Sequence, residues 1–295
     1  MNLHILGAKS PISLSIIEQY NKLDDDYNFS AEFNRVFLYS RNQSTEFLAL
    51  DELSNNVREG DVIISLIPIF VAASLLARID IAHLPKHIIA VSSSSVYSKI
   101  YSSSADHRSY LPFAIGELKL HEIFDHLDPH VHLCILRPTM IWGYGADKNI
   151  SNIINFINST GFYPLCRNGE GMRSPIHFDE LATVIIYVLR KSLKGTYFVR
   201  TTNQLRFIQI LEAVMALTRK RHPFLLRVSP AIAHFCANFS NYLASPSISL
   251  AFNSIMRQGD DLASFPEARN VIIHDSTSHC FLERLKSTYV SNSGN

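Results

Sequence analysis

The chain has 295 residues, 47% of them hydrophobic, a size and composition that suit one large α/β domain or a domain with a small appended lobe. Its 27 Lys and Arg stand against 26 Asp and Glu, for a formal net charge of +1. No overall excess of positive charge points to nucleic acid or to an anionic membrane, and neither is expected as a partner.

In chain order, apolar strand-like runs alternate with helical patterns, which predicts a parallel sheet covered by helices. Leu3 to Leu6 reads as the first strand and Ile12 to Tyr20 as a helix. Strands follow at Arg35 to Tyr39 and Asp61 to Leu66, then a helix from Ile69 to Arg78. Ile88 to Val91 is the next strand, Phe113 to Leu127 a long helix, and His132 to Leu136 a further strand. An amphipathic helix is predicted from Asp179 to Leu193 and a strand from Thr196 to Arg200. A last helix is predicted over 207–219, where Phe207, Ile210, Leu211, Val214 and Leu217 recur at helical spacing. Asp24 to Glu32 and Ser102 to Arg108 read as polar loops, and the end from Ser287 as a frayed tail. The apolar stretch from Pro230 to Met256 is interrupted by His234, Asn238, Asn241, Pro246 and Asn253, which argues against a transmembrane span.

The cysteines are Cys134, Cys166, Cys236 and Cys280, with no Cys-x-x-Cys pair, and read as reduced thiols. The chain runs from Met1 straight into an apolar strand, so no targeting peptide is expected and the cytoplasm is the expected compartment. The 13 histidines are scattered without metal-ligand spacing, and no metal is expected.

Two segments carry the most information. Val91-Ser92-Ser93-Ser94-Ser95-Val96-Tyr97 is a strand that ends in serines followed by Val-Tyr. Leu136-Arg137-Pro138-Thr139-Met140-Ile141-Trp142-Gly143-Tyr144-Gly145 places Arg-Pro at a strand end before a Gly-x-Gly turn. Together they resemble the extended short-chain dehydrogenase/reductases, the NAD-dependent epimerase/dehydratase family. The resemblance covers roughly residues 1 to 220 and is most specific from 134 to 200. It implies a Rossmann-like, doubly wound parallel sheet with a small C-terminal substrate lobe. Residues 1–165 would mainly bind NAD(P), 166–286 would form the lobe and lend the sheet a strand near 196–200, and 287–295 would be a flexible tail.

Such folds hold a dinucleotide on a glycine-rich turn and a helix N-terminus, where close backbone approach and free N–H groups suit the pyrophosphate. The family's Gly-x-x-Gly-x-x-Gly corresponds here to Gly7-Ala8-Lys9-Ser10-Pro11-Ile12-Ser13, with only the first glycine kept. Gly7, Lys9, Ser10 and Ile12 are thus the implied cofactor contacts. The second strand ends in Ser40 and Arg41 where an NAD-preferring site carries an acid. An arginine suits a 2′-phosphate, so NADP is expected, with NAD possible; the plainer reading of Arg41 is a solvated loop cation. Leu66 closes the third strand beside the implied nicotinamide ribose, where Ile67 and Pro68 are bulkier than the family pattern.

The resemblance gives Ser93 the substrate-orienting role and Lys119 the ribose contact that lowers a tyrosine's pKa. The tyrosine position, four residues before Lys119, holds Ile115, which carries no transferable proton. Three explanations stand. Tyr110, Tyr97 or His121 supplies the proton; or cofactor binds without reaction; or the correspondence is displaced by a turn of helix. Arg137 is expected as a cofactor contact and strand-end anchor. Ser94, Trp142, Asn149 and Arg173 are the implied substrate contacts. Arg173 lies in Gly169-Glu170-Gly171-Met172-Arg173-Ser174-Pro175-Ile176-His177-Phe178-Asp179-Glu180-Leu181-Ala182, where the family's arginine meets the substrate diphosphate and a guanidinium matches two phosphate oxygens. His177 and Asp179 are expected to fix the local fold and cap the next helix.

The implied function is an NAD(P)-dependent reductase or epimerase acting on a nucleotide-linked sugar, in polysaccharide synthesis. A non-catalytic NADP-binding protein is the alternative, and a reductase of a lipid or other small ketone a third reading. A homodimer is possible on the resemblance alone.

Overall fold

The computed structural model describes residues 1–22, 32–99, 110–127, 131–143, 145, 147–233, 235, 257–260, 271–274 and 281–290. The expected loop from Ser102 to Arg108 and nearly all of that from Asp24 to Glu32 lie outside these residues. The strands are β1 (Leu3–Leu6), β2 (Val36–Ser40), β3 (Leu48–Ala49), β4 (Val62–Ser65), β5 (His87–Val91), β6 (His132–Pro138), β7 (Ile141–Trp142) and β8 (Phe162–Leu165). They continue with β9 (Met172–Arg173), β10 (Ile176–His177), β11 (Gly195–Thr201), β12 (Leu205–Arg206), β13 (Phe224–Arg227) and β14 (Val271–His274). The longer helices are α1 (Pro11–Asn21), α2 (Ile69–Leu76), α3 (Leu111–Leu127), α4 (Ile150–Thr160), α5 (Phe178–Lys191), α6 (Phe207–Met215) and α7 (Phe281–Val290).

Eight strands form one sheet in the order β14-β11-β6-β5-β4-β1-β2-β3, every pair parallel. Read from β3, the first six follow the doubly wound order 3-2-1-4-5-6. The ligand crevice of such a sheet opens outside the carboxyl ends of the strands, where the order reverses between β1 and β4. Leu6 pairs with Tyr39 of β2 and with Ser65 of β4, so the turn after β1 emerges between those two strand ends.

The strands are apolar throughout because both faces are covered. On one face Leu3, Ile5, Ile64, Ile89 and Leu136 pack against Ile12 and Ile16 of α1 and Leu181, Ile185 and Val188 of α5. On the other, Leu6, Ile63, Ile88 and Ile135 meet Ile69, Ala72 and Leu76 of α2 and Leu120 and Phe124 of α3. Helices α2 and α3 touch at Gly116, where a Cβ would stand 2.7 Å from the Phe70 nitrogen. Beside the sheet a smaller lobe has its own core of Trp142, Ile153, Ile157, Leu165, Ile210, Val214 and Phe281.

Toward the amino ends of the strands lies a buried polar network. His4 Nδ1 is 3.0 Å from the Tyr39 hydroxyl and its Nε2 3.0 Å from Asp61, which also accepts the Asn2 and Arg58 N–H groups. Burial is the largest influence on His4 and holds it below its ordinary value.

Some elements go beyond the sequence reading. Helices α4 and α7 and strands β13 and β14 were not expected, and α6 stops at Met215 rather than running to 219. The chain beyond Ser287 continues as helix to Val290, with Thr288 buried and the Tyr289 hydroxyl donating to Asp147 at 3.0 Å. Among the described residues no helix is long and apolar enough to cross a membrane. Cys134 and Cys166 are free and buried, and burial pushes the Cys134 thiol up to about 12.

Candidate functional site

β1 is followed by Gly7 at φ +91°, a left-handed conformation that glycine adopts without penalty. The N–H groups of Gly7 and Ala8 both donate to the Tyr39 carbonyl at 3.0 Å, tying the turn to β2 beside Ser40 and Arg41. A Cβ on Gly7 would meet Leu66 and Ile67 at 3.3 Å, so the turn lies directly on the end of β4. Ser10 caps α1, its Oγ accepting the Ser13 N–H at 3.1 Å, and Pro11 follows at the first helical position. Pro11 has no N–H and that of Ser13 is engaged, which leaves Ile12 as the first-turn donor for an anion. Ser40 is buried; Arg41 beside it and Lys9 are exposed, with the Lys9 ammonium 5.3 Å above the Phe47 ring.

Helix α3 passes the ends of β5 and β6 and presents one side chain to both. Glu117 is almost fully buried; it accepts the Ser92 hydroxyl at 2.5 Å and the Arg137 Nε–H at 3.1 Å, with Arg137 Nη2 at 2.5 Å. Phe113 lies one turn earlier on the same face and meets Phe70 edge-on, centroids 5.9 Å apart. Ile115 and Lys119 are two positions away on either side, about 200° around the helix from Glu117. They face solvent: Ile115 is 42% exposed, Leu118 between them 69%, and Lys119 is exposed as well. The serine hydroxyl bonded to α3 is therefore that of Ser92, whereas Ser93 is half-buried and its Oγ accepts the Ser95 N–H at 3.2 Å. The four-spaced pair that faces the strand ends is Phe113 and Glu117, two residues and so about half a turn of helix from Ile115 and Lys119.

Arg137 has the anchoring role. Besides Glu117, its guanidinium lies 5.2 Å from the Phe198 ring, against which Tyr97 packs edge-on at 5.5 Å. Tyr97 thus joins this cluster through Phe198, while His121 is held between Asp125 at 2.8 Å and Thr196 at 3.3 Å. Tyr110 is buried at the start of α3.

The implied substrate contacts are mostly built into the fold. Arg173 is buried and donates to the carbonyls of Met172, Asp260 and Arg257 at 2.9, 2.6 and 2.8 Å, over the ring of Phe207. Gly171 lets the same turn approach, since a Cβ there would be 2.2 Å from the Asp260 carbonyl. Trp142 sits in the lobe core between His177 and Phe281 rather than in a cleft. Ser94 is buried with its N–H on the Pro138 carbonyl. Asn149 is exposed and donates to the Ile141 carbonyl at 2.7 Å. His177 caps α5, and Asp179 joins three helices through Ser15 at 2.7 Å and Arg284 at 2.9 Å, the structural parts expected of them.

Comparison with family models and with curated protein sequences finds no match. Solved structures do resemble the chain. The human epimerase family protein SDR39U1 (isoform 2) with NADPH superposes at TM-score 0.59 and 15% identity, over 89% of this chain and 98% of that one. MoeE5 in complex with UDP-glucose and NAD gives 0.60 at 13% identity, over 99% and 98%. The UDP-N-acetylglucosamine 4-epimerase from Bacillus cereus gives 0.58 at 14%, over 87% and 95%. The fold is that of the extended short-chain dehydrogenase/reductases.

On that fold, the two ends of a dinucleotide would meet different surroundings. The pyrophosphate end fits, with a left-handed glycine and a capped helix N-terminus, and Arg41 beyond β2 suits a 2′-phosphate. The nicotinamide end does not fit hydride chemistry assisted by α3, because the inward pair is a hydrocarbon ring and a carboxylate already neutralised by Arg137. Glu117 was missed in the sequence, although the signal was there. With Phe113, Leu120 and Phe124 it occupies successive positions of one apolar stripe, where an acid needs a buried partner.

Proposed function

We propose that this chain binds an NADP-type dinucleotide as a ligand and does not use it as a reagent through α3. Its scaffold is that of nucleotide-sugar reductases and epimerases, and its role would be that of a sensor or assembly partner beside such enzymes. The carrying observation is the closed cluster of Glu117, Ser92 and Arg137 on the side of α3 that faces the strand ends. The Gly7 turn and Ser10-capped helix support retained dinucleotide binding, with Ile12 and Arg41 as anion contacts. The neighbours with NADPH or NAD and with UDP-glucose support the ligand class. The test is a fluorescence titration with NADPH, then with UDP- and dTDP-sugars, followed by assay of nicotinamide oxidation. Binding without turnover is expected. Steady turnover, or no binding of either ligand, overturns the reading.

One observation favours a second reading, an NAD(P)-dependent reductase or epimerase of nucleotide-linked sugars. Tyr97 reaches the Arg137 cluster through Phe198, four residues after Ser93. Were Tyr97 the proton donor, with Ser93 orienting the substrate oxygen, Tyr97→Phe would abolish turnover while leaving NADPH affinity unchanged.

A further inference from the structure

The charge that balances over the whole chain does not balance over its surface. From Ala213 through Gly259 the sequence contains no Asp or Glu, yet it carries Arg219, Lys220, Arg221, Arg227 and Arg257. The first four are exposed, as is His222 after Arg221. Three of them precede β13 and Arg227 ends it, and β13 pairs with β8 alone among the described residues. Its outward side chains are apolar: Phe224 is 56% exposed and Leu226 45%, and Ile232 beyond the strand 58%. Phe224 stacks on Phe162 at 5.9 Å, and Phe162 meets the exposed Phe156 of α4 edge-on at 5.8 Å. Helix α4 is itself uncharged from Ile150 to Thr160. The basic loop is fixed to its end, the Arg219 N–H donating to Asn158 at 2.8 Å and the Phe224 N–H to the Gly161 carbonyl at 3.2 Å.

We propose that this face, formed by α4, the 219–222 loop and β13, docks on an anionic lipid bilayer surface. Aromatic and aliphatic side chains ringed by cations match a bilayer's boundary. The rings and aliphatic groups enter the acyl margin, and the arginines and lysine remain at the headgroups. Leu226 decides against nucleic acid, since an aliphatic group neither stacks on bases nor hydrogen-bonds to them. The absence of acids over the segment means that the attraction is not cancelled locally, and a contiguous exposed apolar patch calls for an occupant. The docking is peripheral, in keeping with the described helices, none of which is long and apolar enough to span.

The test is co-sedimentation of the full chain with vesicles of phosphatidylcholine alone or mixed with phosphatidylglycerol, at low and high salt. Binding is expected only to the mixed vesicles and should weaken steeply with salt. Lys220→Glu with Arg221→Glu should lower that binding at least roughly thirty-fold. Phe224→Ser with Leu226→Ser should abolish the fraction that survives high salt. All four side chains are exposed, so both variants should keep the parent's melting curve; the two act on different parts of the face, and either one folding normally suffices. Equal binding to both vesicle types, no binding to either, undiminished binding by a folded variant, or tighter capture of a single-stranded RNA oligomer each overturns the proposal.

Discussion

Arg173 donates to the carbonyls of Asp260 and Arg257, and those bonds tie the 257–260 turn to β9. Hydrogen bonds from a charged group to buried carbonyls are worth more than neutral ones, so Arg173→Ala should destabilise by about 2–3 kcal/mol, read as a lower urea midpoint. An unchanged midpoint accompanied by lost nucleotide-sugar binding would restore Arg173 to a diphosphate-binding role. His87 sets an acid limit. Burial pulls it down to about 4 from an ordinary 6.5, while the Leu193 carbonyl, 3.1 Å from Nε2, acts the other way. The unfolded chain takes up this proton near its ordinary value and the folded chain only near the lowered one. Stability is therefore lost as pH falls through that window and is unaffected above it. The loss is on the order of 3 kcal/mol by the lower limit. His87→Gln should flatten the slope of stability against pH there; an unaltered slope would assign the acid sensitivity to other groups, such as His4.

At the level of elements, α3 decides the chemistry. Its spacing made a helix certain, and an apolar stripe of Phe113, Leu120 and Phe124 fixes which side meets the sheet. Resemblance put the family's Tyr and Lys positions at Ile115 and Lys119; packing puts Phe113 and Glu117 toward the strand ends. Glu117→Ala leaves the Arg137 guanidinium and the Ser92 hydroxyl without their shared carboxylate and should cost about 3 kcal/mol, read as a lower urea midpoint. An unchanged midpoint would mean that the Glu117 cluster does not hold α3 to the strand ends. The same helix depends on Gly116 for its approach to α2. Gly116→Ala places a methyl against the Phe70 backbone and should cost about 1–3 kcal/mol in chemical denaturation, despite the better helix propensity of alanine. Strands β13 and β14 were illegible for a related reason. They are four residues each, and what makes them strands is pairing with β8 and β11, far away in sequence.

For the whole molecule, the doubly wound sheet brings the Gly7 turn and the end of β4 to the strand-order reversal, and a ligand there should hold the two halves of the sheet together. NADPH at a hundred times its dissociation constant should stabilise the chain by about 2.7 kcal/mol, visible as a raised Tm. No shift at saturating NADPH would remove the dinucleotide from the picture. What the sequence by itself determined was most of the sheet, the helices that cover its two faces and the glycine turn after β1, because buried parallel strands and a glycine turn announce themselves in residues that are neighbours along the chain. What only the tertiary structure decided was the use of individual side chains. Arg173 became a clamp, Trp142 a core residue and Glu117 the partner of Arg137. Each outcome depends on which stripe of a helix or strand turns inward and on which distant segment it meets. A step of two residues along a helix turns a side chain by about 200°, and local spacing alone does not say toward what.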